Sequence, residues 1–453
     1  MKKLLLGVAV SAAVFAGAAN AVIVPALPVA SVYTLTVSGA SASHPYMVSY
    51  LNGTGVAPAN RLCAGAVTTH TDALVPNQFA YSCLGNKALN PTLATAMGAN
   101  VTLLIKKRTA GGSGFGVGPV ATDTAIQFIN GLARPDFGFS DLAPSVFDAA
   151  HPYNVDPLIP GLPLTLPGNL TNVGGATGFA AQVFGTVVNT SFRDALQNAQ
   201  FPVANCKLAG AGLNGRESLA CMPNLTIAQI TQLIKRGGTT LAGGTIANGT
   251  VHTCGRTDGS GTKAVTALRL CETLAGGNTP ALSACQGIAA PYLAANTPLE
   301  VPTTTRAGSR YHEMASASGV AECLSELNQG VNTLGTAFTM SGAPAPAIGY
   351  QSTDNNAFTA ATIPGAGTTG QYRFIRVNGF EPTLARASAG TYTDVGRSTC
   401  QFNNTAAAAA LHLPPAKKAL ITQICTIVGS PAVIAAVNPL VAKHVFGQAG
   451  FLP

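Results

Sequence analysis

Apolar and polar positions alternate along Tyr33-Thr34-Leu35-Thr36-Val37, the two-residue period of a strand, and the run passes into Gly39 and a string of small residues. Val101 to Ile105 predicts a second strand, leading into the glycine-rich stretch Gly111-Gly112-Ser113-Gly114-Phe115-Gly116. Thr124 to Leu132 sets Ile126, Phe128 and Ile129 on one face and predicts a helix before Gly131. Asp136-Phe137-Gly138-Phe139-Ser140-Asp141 then reads as a short strand with an abrupt polar end. From Pro152 to Gly175 the chain is rich in Pro, Gly and Leu, the make-up of a long surface loop.

The clearest helix lies in the middle. Ile227, Ile230, Leu233 and Ile234 recur at helical spacing between Thr226, a good N-cap, and the terminating pair Gly237-Gly238. A second helix is expected from Thr262 to Leu274, directly after Asp258-Gly259-Ser260-Gly261. The last hundred residues predict an Ala-rich helix from Thr405, a stop at Pro414-Pro415 and two further helices. Strands alternating with helices argue for an α/β fold with mainly parallel sheets. There is no internal repeat.

Composition narrows the class. With 47% hydrophobic residues and 9% charged ones, against roughly 25% charged on average, the 453-residue chain is globular and long enough for two domains or more. A formal charge of +8 suits an anionic ligand, but no basic run exceeds Lys106-Lys107-Arg108 and Trp is absent, so no nucleic-acid partner is expected. Met1-Lys2-Lys3, the apolar run Leu4 to Gly17 and Ala19-Asn20-Ala21 have the form of a signal peptide over residues 1–21, cleaved before Val22. The best later candidate for a membrane segment, Ala432 to Val445, is broken by Asn438-Pro439 and carries Lys443 and His444, so a soluble mature protein is expected.

An exported chain with ten cysteines is expected to pair them. Spacing suggests Cys63 with Cys83, Cys206 with Cys221, Cys271 with Cys285 and Cys400 with Cys425, leaving Cys254 and Cys323 for each other, although spacing alone does not fix connectivity. Each closure would contribute roughly 3 kcal/mol in the chain-entropy picture. Zinc is the competing use, and no C-x-x-C pair supports it.

The segment richest in chemistry is Arg256-Thr257-Asp258-Gly259-Ser260-Gly261-Thr262, with a helical pattern behind it. First-turn N–H groups lack intrahelical partners and carry partial positive charge, so a strand entering a helix through glycines and hydroxyls forms an anion site. Ser260 and Thr262 add hydroxyls, Gly261 permits close backbone approach, and Arg256 offers a donor fork that Asp258 can orient. The alternative is a plain N-cap on a surface turn. Competing chemistries fail on their motifs. Gly-Lys-Ser/Thr is missing, which excludes a nucleotide P-loop, and there is no G-x-S-x-G elbow. His312-Glu313 is followed by Ser at 316 where a metalloprotease needs His, and none of the seven histidines has metal-ligand spacing.

Four segments in order then carry a resemblance. Gly39-Ala40-Ser41-Ala42-Ser43-His44-Pro45 resembles the GAGATFP motif of the periplasmic phosphate-binding proteins of ABC importers, and Gly112-Ser113 resembles that family's second anion-contacting loop. Asp136 to Pro144 resembles DFGASDAPL, and Arg256 to Thr262 resembles RADGSGT. Weaker similarities follow at Leu225 to Gly237, at Gly319-Val320 with Ala347-Ile348-Gly349-Tyr350, and at Gly379 to Thr383 with Gly390-Thr391-Tyr392. The likeness spans most of residues 35 to 400, and the part after Cys400 departs from it.

The resemblance implies a two-lobe periplasmic-binding-protein (type II) fold of α/β class with a hinged inter-lobe cleft. Lobe one would take residues 31–185 plus 353–453 and lobe two 186–352, with crossings near Val183–Asn189 and Tyr350–Asp354 acting as the hinge. It implies capture of inorganic phosphate, with Ser43, His44, Ser113 and Asp141 facing the anion from one lobe and Arg256, Ser260, Gly261 and Thr262 from the other, Asp258 supporting. Asp141 would be selective, because a carboxylate only accepts hydrogen bonds and so favours an anion that still carries a proton; fully ionised sulfate would meet it acceptor to acceptor. His44 replaces the family's usual Phe and Ser43 its Thr. An ABC permease in the inner membrane would be the partner of a periplasmic, monomeric protein without cofactor or catalysis. The competing readings are a secreted binding-fold protein outside transport, in scavenging or matrix, and a site for a different oxyanion. A secreted phosphatase would need a metal cluster or an activated nucleophile, and the sequence offers neither.

Overall fold

The computed structural model describes residues 23–72, 75, 77–144, 147, 173–201, 206, 219–241, 244–247, 250–256, 259–266, 310–314, 316–331, 344–353, 355 and 371–433. The signal peptide, the loop from Pro152 as far as residue 172, the pair Cys271–Cys285, Asp258 and the final helix beyond residue 433 lie outside them.

The first half of the chain lays down strands β1 (Val32–Gly39), β2 (Thr68–Thr71), β3 (Gln78–Leu84), β4 (Thr102–Arg108), β5 (Ile126–Phe128), β6 (Gly131–Ala133) and β7 (Phe137–Ser140). Helices α1 (His44–Leu51), α2 (Pro91–Met97) and α3 (Gly112–Thr122) fall between them. The long strand β8 (Val173–Asn189) and helix α4 (Thr190–Gln200) follow. Next come β9 (Asn224–Leu225), α5 (Ile227–Arg236), β10 (Thr239–Leu241), β11 (Gly244–Ile246), β12 (His252–Arg256) and a helical segment over residues 261–266. The chain continues through β13 (Arg310–Met314), α6 (Ala317–Gln329), β14 (Ala347–Ser352), β15 (Tyr372–Phe374), β16 (Arg376–Val377), α7 (Leu384–Ser388), β17 (Val395–Asn403), α8 (Ala406–Leu411) and α9 (Pro415–Val428).

An 11-stranded sheet runs in the order β13-β12-β14-β8-β17-β7-β1-β4-β3-β2, with β15 alongside β8. The fold is α/β, but the expectation of mainly parallel pairing does not hold. Strands β1, β4 and β7 are mutually parallel, as are β12, β13 and β14. The joins between and around these groups are antiparallel: β17 to β7 and β8, β14 and β15 to β8, β3 to β4 and β2. Strand β8 belongs to both groups. Val183 pairs with Val395 on β17, and the next residue, Phe184, pairs with Ser352 on β14.

The helix expected over Thr124 to Leu132 is instead the β5–β6 hairpin. Ile126 and Phe128 are buried with Gln127 between them, a two-residue alternation, and they pack on Phe115. The helix lies just upstream, at α3, through the glycine-rich stretch. Five of its eleven residues are Gly or Pro, poor helix formers, yet residues 112–121 are all buried, so tertiary packing outweighs propensity. Helix α5 follows its sequence signals: Thr226 and Gln229 close a capping box, and Gly237 ends the helix in the left-handed region at φ 64.

One core lies under the first group of strands, where Leu35, Val37, Tyr81, Ile105, Phe137 and Phe139 meet α1, α2 and α9. Separate clusters fill the second half, and they take in Ile375, Val377 and Tyr392 from the returning segment. Among the described residues, four cysteine pairs are closed, Cys63–Cys83, Cys206–Cys221, Cys254–Cys323 and Cys400–Cys425, the last fixing α9 to β17. No helix among the described residues is long and apolar enough to cross a membrane.

A charged staple secures the C-terminal segment. His412 donates from Nδ1 to Asp136 Oδ1 at 3.1 Å and from Nε2 to Asp123 Oδ1 at 2.7 Å, and Lys417 Nζ lies 2.7 Å from Asp136 Oδ1. The hydrogen bond to Asp136, then that to Asp123, raises the imidazole's pKa against burial. A raised folded-state pKa stabilises below the ordinary value and loses that contribution as pH climbs through the raised one. His412→Ala is therefore expected to lower stability by about 1 kcal/mol at pH 5.5 and by clearly less at pH 9, as read from paired thermal melts.

Candidate functional site

Parallel strands place their carboxyl ends on one edge, and the loops leaving that edge are where α/β folds assemble sites. Here β1 leads to Ser43 and His44, β4 to Ser113 at the start of α3, and β7 to Asp141, one residue past its end. In the second parallel group, β12 ends on Arg256 and leads through Gly259 to Ser260, Gly261 and Thr262.

Loops from the two groups meet. Gly114 N–H donates to the Gly259 carbonyl at 2.9 Å. A Cβ on Gly112 would fall 2.8 Å from Ser260 Cα, and one on Gly261 would fall 2.3 Å from Ser113 Oγ and 2.7 Å from Asp141 Oδ2. Ser113, Asp141, Ser260 and Gly261 are thus brought into one place, with Ser113, Asp141 and Ser260 buried. Behind them Val117, Leu142 and Phe147 of the first half pack with Ala264 and Val265 of the second, an apolar seal that keeps water from the rear.

Ser113 and Asp141 hold each other. The Ser113 hydroxyl accepts from Asp141 N–H at 2.9 Å and lies 3.2 Å from Asp141 Oδ2, to which it donates. The exchange fixes the carboxylate beside Gly261, where the next helical segment begins. Arg256 is 6% exposed and Thr262 7%, so the two ends of the strand-to-helix passage are almost wholly desolvated, as a strong charge-assisted site requires. Ser260 Oγ also accepts weakly from Lys263 N–H at 3.4 Å.

At the β1 end, the Ser43 hydroxyl donates to the Ala40 carbonyl at 2.8 Å and leaves its lone pairs available. His44 Nε2 lies 3.1 Å from Tyr81 Oη, and its ring centroid lies 4.6 Å from that of Phe79. Burial, reinforced by the charge of Lys107, pushes its pKa down to about 4, so near neutral pH the imidazole carries no charge. Among the described residues, the side-chain hydrogen bonds of Ser43 and His44 go to Ala40 and Tyr81 and not to Ser113, Asp141, Ser260 or Thr262.

The residue that sequence reasoning missed is Lys107. It is fully buried on β4, with Nζ 3.1 Å from the Gly39 carbonyl, 3.4 Å from that of Ser38, 3.5 Å from that of Ala40, and 5.3 Å from the Phe139 ring centre. The signal lay in Lys106-Lys107-Arg108, a cationic run between a strand and a Gly-rich loop in a chain with few charges.

No protein-family profile matches the chain, and no curated protein does. Among solved structures, the chain is similar to one described as a candidate phosphate ABC transporter substrate-binding protein with bound phosphate from Clostridium perfringens. The two are 12% identical over 89% of this chain and 98% of that one, with a TM-score of 0.41. An ABC-type phosphate transport receptor from Vibrio cholerae is 12% identical over 86% and 98%, with a TM-score of 0.34. PstS from Borrelia burgdorferi is 10% identical over 83% and 89%, with a TM-score of 0.32. At such identity the ligand must be inferred from the geometry of the site itself.

Gly261→Ala tests that geometry. Its methyl would overlap the Ser113 hydroxyl and the Asp141 carboxylate, which hold each other and cannot both yield. The variant is expected to fold, with an unchanged far-UV spectrum, and to lose anion affinity by roughly tenfold or more, about 1.4 kcal/mol or above by titration calorimetry.

Proposed function

We propose that the protein is a solute-binding protein that captures inorganic phosphate between its two halves and performs no catalysis. The observation that carries this reading is a buried carboxylate, Asp141, fixed by Ser113 against Gly261, with Ser260 from the second half beside the Gly112–Ser113 turn of the first. A fixed acceptor among donors suits an oxyanion that still bears a proton. Phosphate does near neutral pH, and sulfate does not. Arg256, buried at the end of β12, supplies the positive charge, with Ser43, Ser260 and Thr262 as further hydroxyls and Asp258 as the support for Arg256.

Closure would be a hinge motion about the step in β8 between Val183, paired with β17, and Phe184, paired with β14, biased by anion contacts to both halves. The described disulfides suit an oxidising compartment, the periplasm or the exterior, and delivery to an ABC permease would follow from a monomeric carrier of this type.

Calorimetric titration of the phosphate-stripped mature protein tests the reading. Phosphate is expected to bind and sulfate to compete poorly; absence of phosphate binding refutes it. Arg256→Ala is expected to cost about 2–5 kcal/mol of phosphate affinity. Asp141→Asn, which can donate where Asp cannot, is expected to weaken phosphate and to let sulfate compete.

A further inference from the structure

A lysine with no exposed surface is costly to bury, and here it faces backbone rather than a paired carboxylate. Lys107 Nζ is ringed by the carbonyls of residues 38–40, the turn that leads to Ser43 and α1. Peptide planes are rigid, so carbonyls drawn down to Nζ turn the N–H groups of the same planes the other way. Ala40 N–H spends its bond on the Phe139 carbonyl at 2.8 Å, which ties this turn to the strand that presents Asp141. Ser38 Oγ and His44 Nδ1 are buried with no hydrogen-bond partner, and the carbonyls of the turn are held by Lys107 Nζ and, at Ala40, by the Ser43 hydroxyl as well.

We propose that Lys107 is a second cation of the oxyanion site, a positioning residue that acts from beneath the turn of residues 38–40 and tunes the site toward a doubly charged anion. This rests on the phosphate reading above. Among the described residues, the titratable groups that act on Lys107 or feel its charge are Asp141 beyond β7 and His44 on α1, and Tyr81 on β3 is hydrogen-bonded to His44. His44 is neutral near pH 7, and burial raises the pKa of Tyr81; besides the flanking cations Lys106 and Arg108, Asp141 is the charge that acts on Lys107. Burial lowers the Lys107 pKa to about 7, partly opposed by the charge of Asp141. A dianion arriving beside Asp141 favours the protonated amine, so binding draws a proton onto Lys107.

Lys107→Met keeps the length of the side chain and removes the charge. Lys107→Arg keeps a charge that does not titrate. Lys106→Met, one residue along on the other side of the strand, is the control. Each is titrated with inorganic phosphate at pH 8 in two buffers of different ionisation enthalpy, which reads affinity and proton uptake together.

We expect Lys107→Met to lose affinity on the order of tenfold and to take up fewer protons than wild type. Lys107→Arg should recover affinity without recovering the uptake, and Lys106→Met should match wild type in both. Thermal melts of the ligand-free proteins give a reading independent of phosphate. A depressed lysine pKa means that the unfolded chain holds the proton more tightly. Wild-type stability should therefore rise from pH 7 to pH 9 relative to Lys107→Met. Equal affinity and equal proton uptake in wild type and Lys107→Met would overturn the proposal while leaving phosphate binding intact. Failure of wild type to bind phosphate would overturn both.

Discussion

Helix α3 rests on strands β1 and β7 with nothing but backbone between them. A Cβ on Gly116 would lie 1.9 Å from the Phe139 carbonyl oxygen, one on Gly39 2.0 Å from the same atom, and one on Gly138 2.1 Å from the Gly116 carbonyl. No side chain fits in that space, so three glycines from three elements set the depth at which the helix sits. Its first turn carries Ser113, and β7 carries Asp141, so their reciprocal hydrogen bonds exist only because the helix can come this close. Gln401 reinforces the arrangement by donating to the Gly116 carbonyl at 2.6 Å. The turn held by Lys107 includes Gly39, so the same contact bears on the approach to Ser43 and His44.

The chain has few charges and buries a notable share of them, among them Lys107, Arg108, Asp136, Asp141, Arg193 and Arg256. Burying a charge is tolerated only where partners replace water. Arg108 does so with the carbonyls of Ala110 and Gln127 and the face of Phe115, which locks the turn into α3. Asp136 accepts from Thr36 N–H, His412 and Lys417, which joins the C-terminal helices to the first half. Buried polar chemistry here fixes loops in place as much as it meets a ligand.

Elements whose signals are local could be read from sequence. β1 and β7 showed their alternation, and α5 showed a cap, a period and a terminating glycine. Signals that depend on distant chain could not be read. The glycines of α3 look like a loop until the strands they touch are known, and Ile126-Gln127-Phe128 fits either period when taken alone. The antiparallel joins were hidden because β8 and β17 meet across some two hundred residues with nothing local to announce it. Motif resemblance marked the site loops, and the structure brings Ser113, Asp141, Ser260 and Gly261 together. Lys107 escaped because three adjacent cations resemble a solvated surface, and only the packed sheet shows that Lys107 and Arg108 are both fully buried.

Strand β8 gives the molecule a mechanical character. Val183 accepts from Thr353 N–H and Phe184 donates to the Asp394 carbonyl, both at 2.8 Å, at the step where the strand passes from one set of neighbours to the other. At this step the halves are joined by a hydrogen-bonded ribbon. Any parting of them has to be absorbed as twist along that ribbon, and twist in a bonded sheet meets a restoring torque that grows with angle. Such a joint would act as a torsion spring: it would resist separation of the halves more strongly the further they part, and so would limit how wide they open.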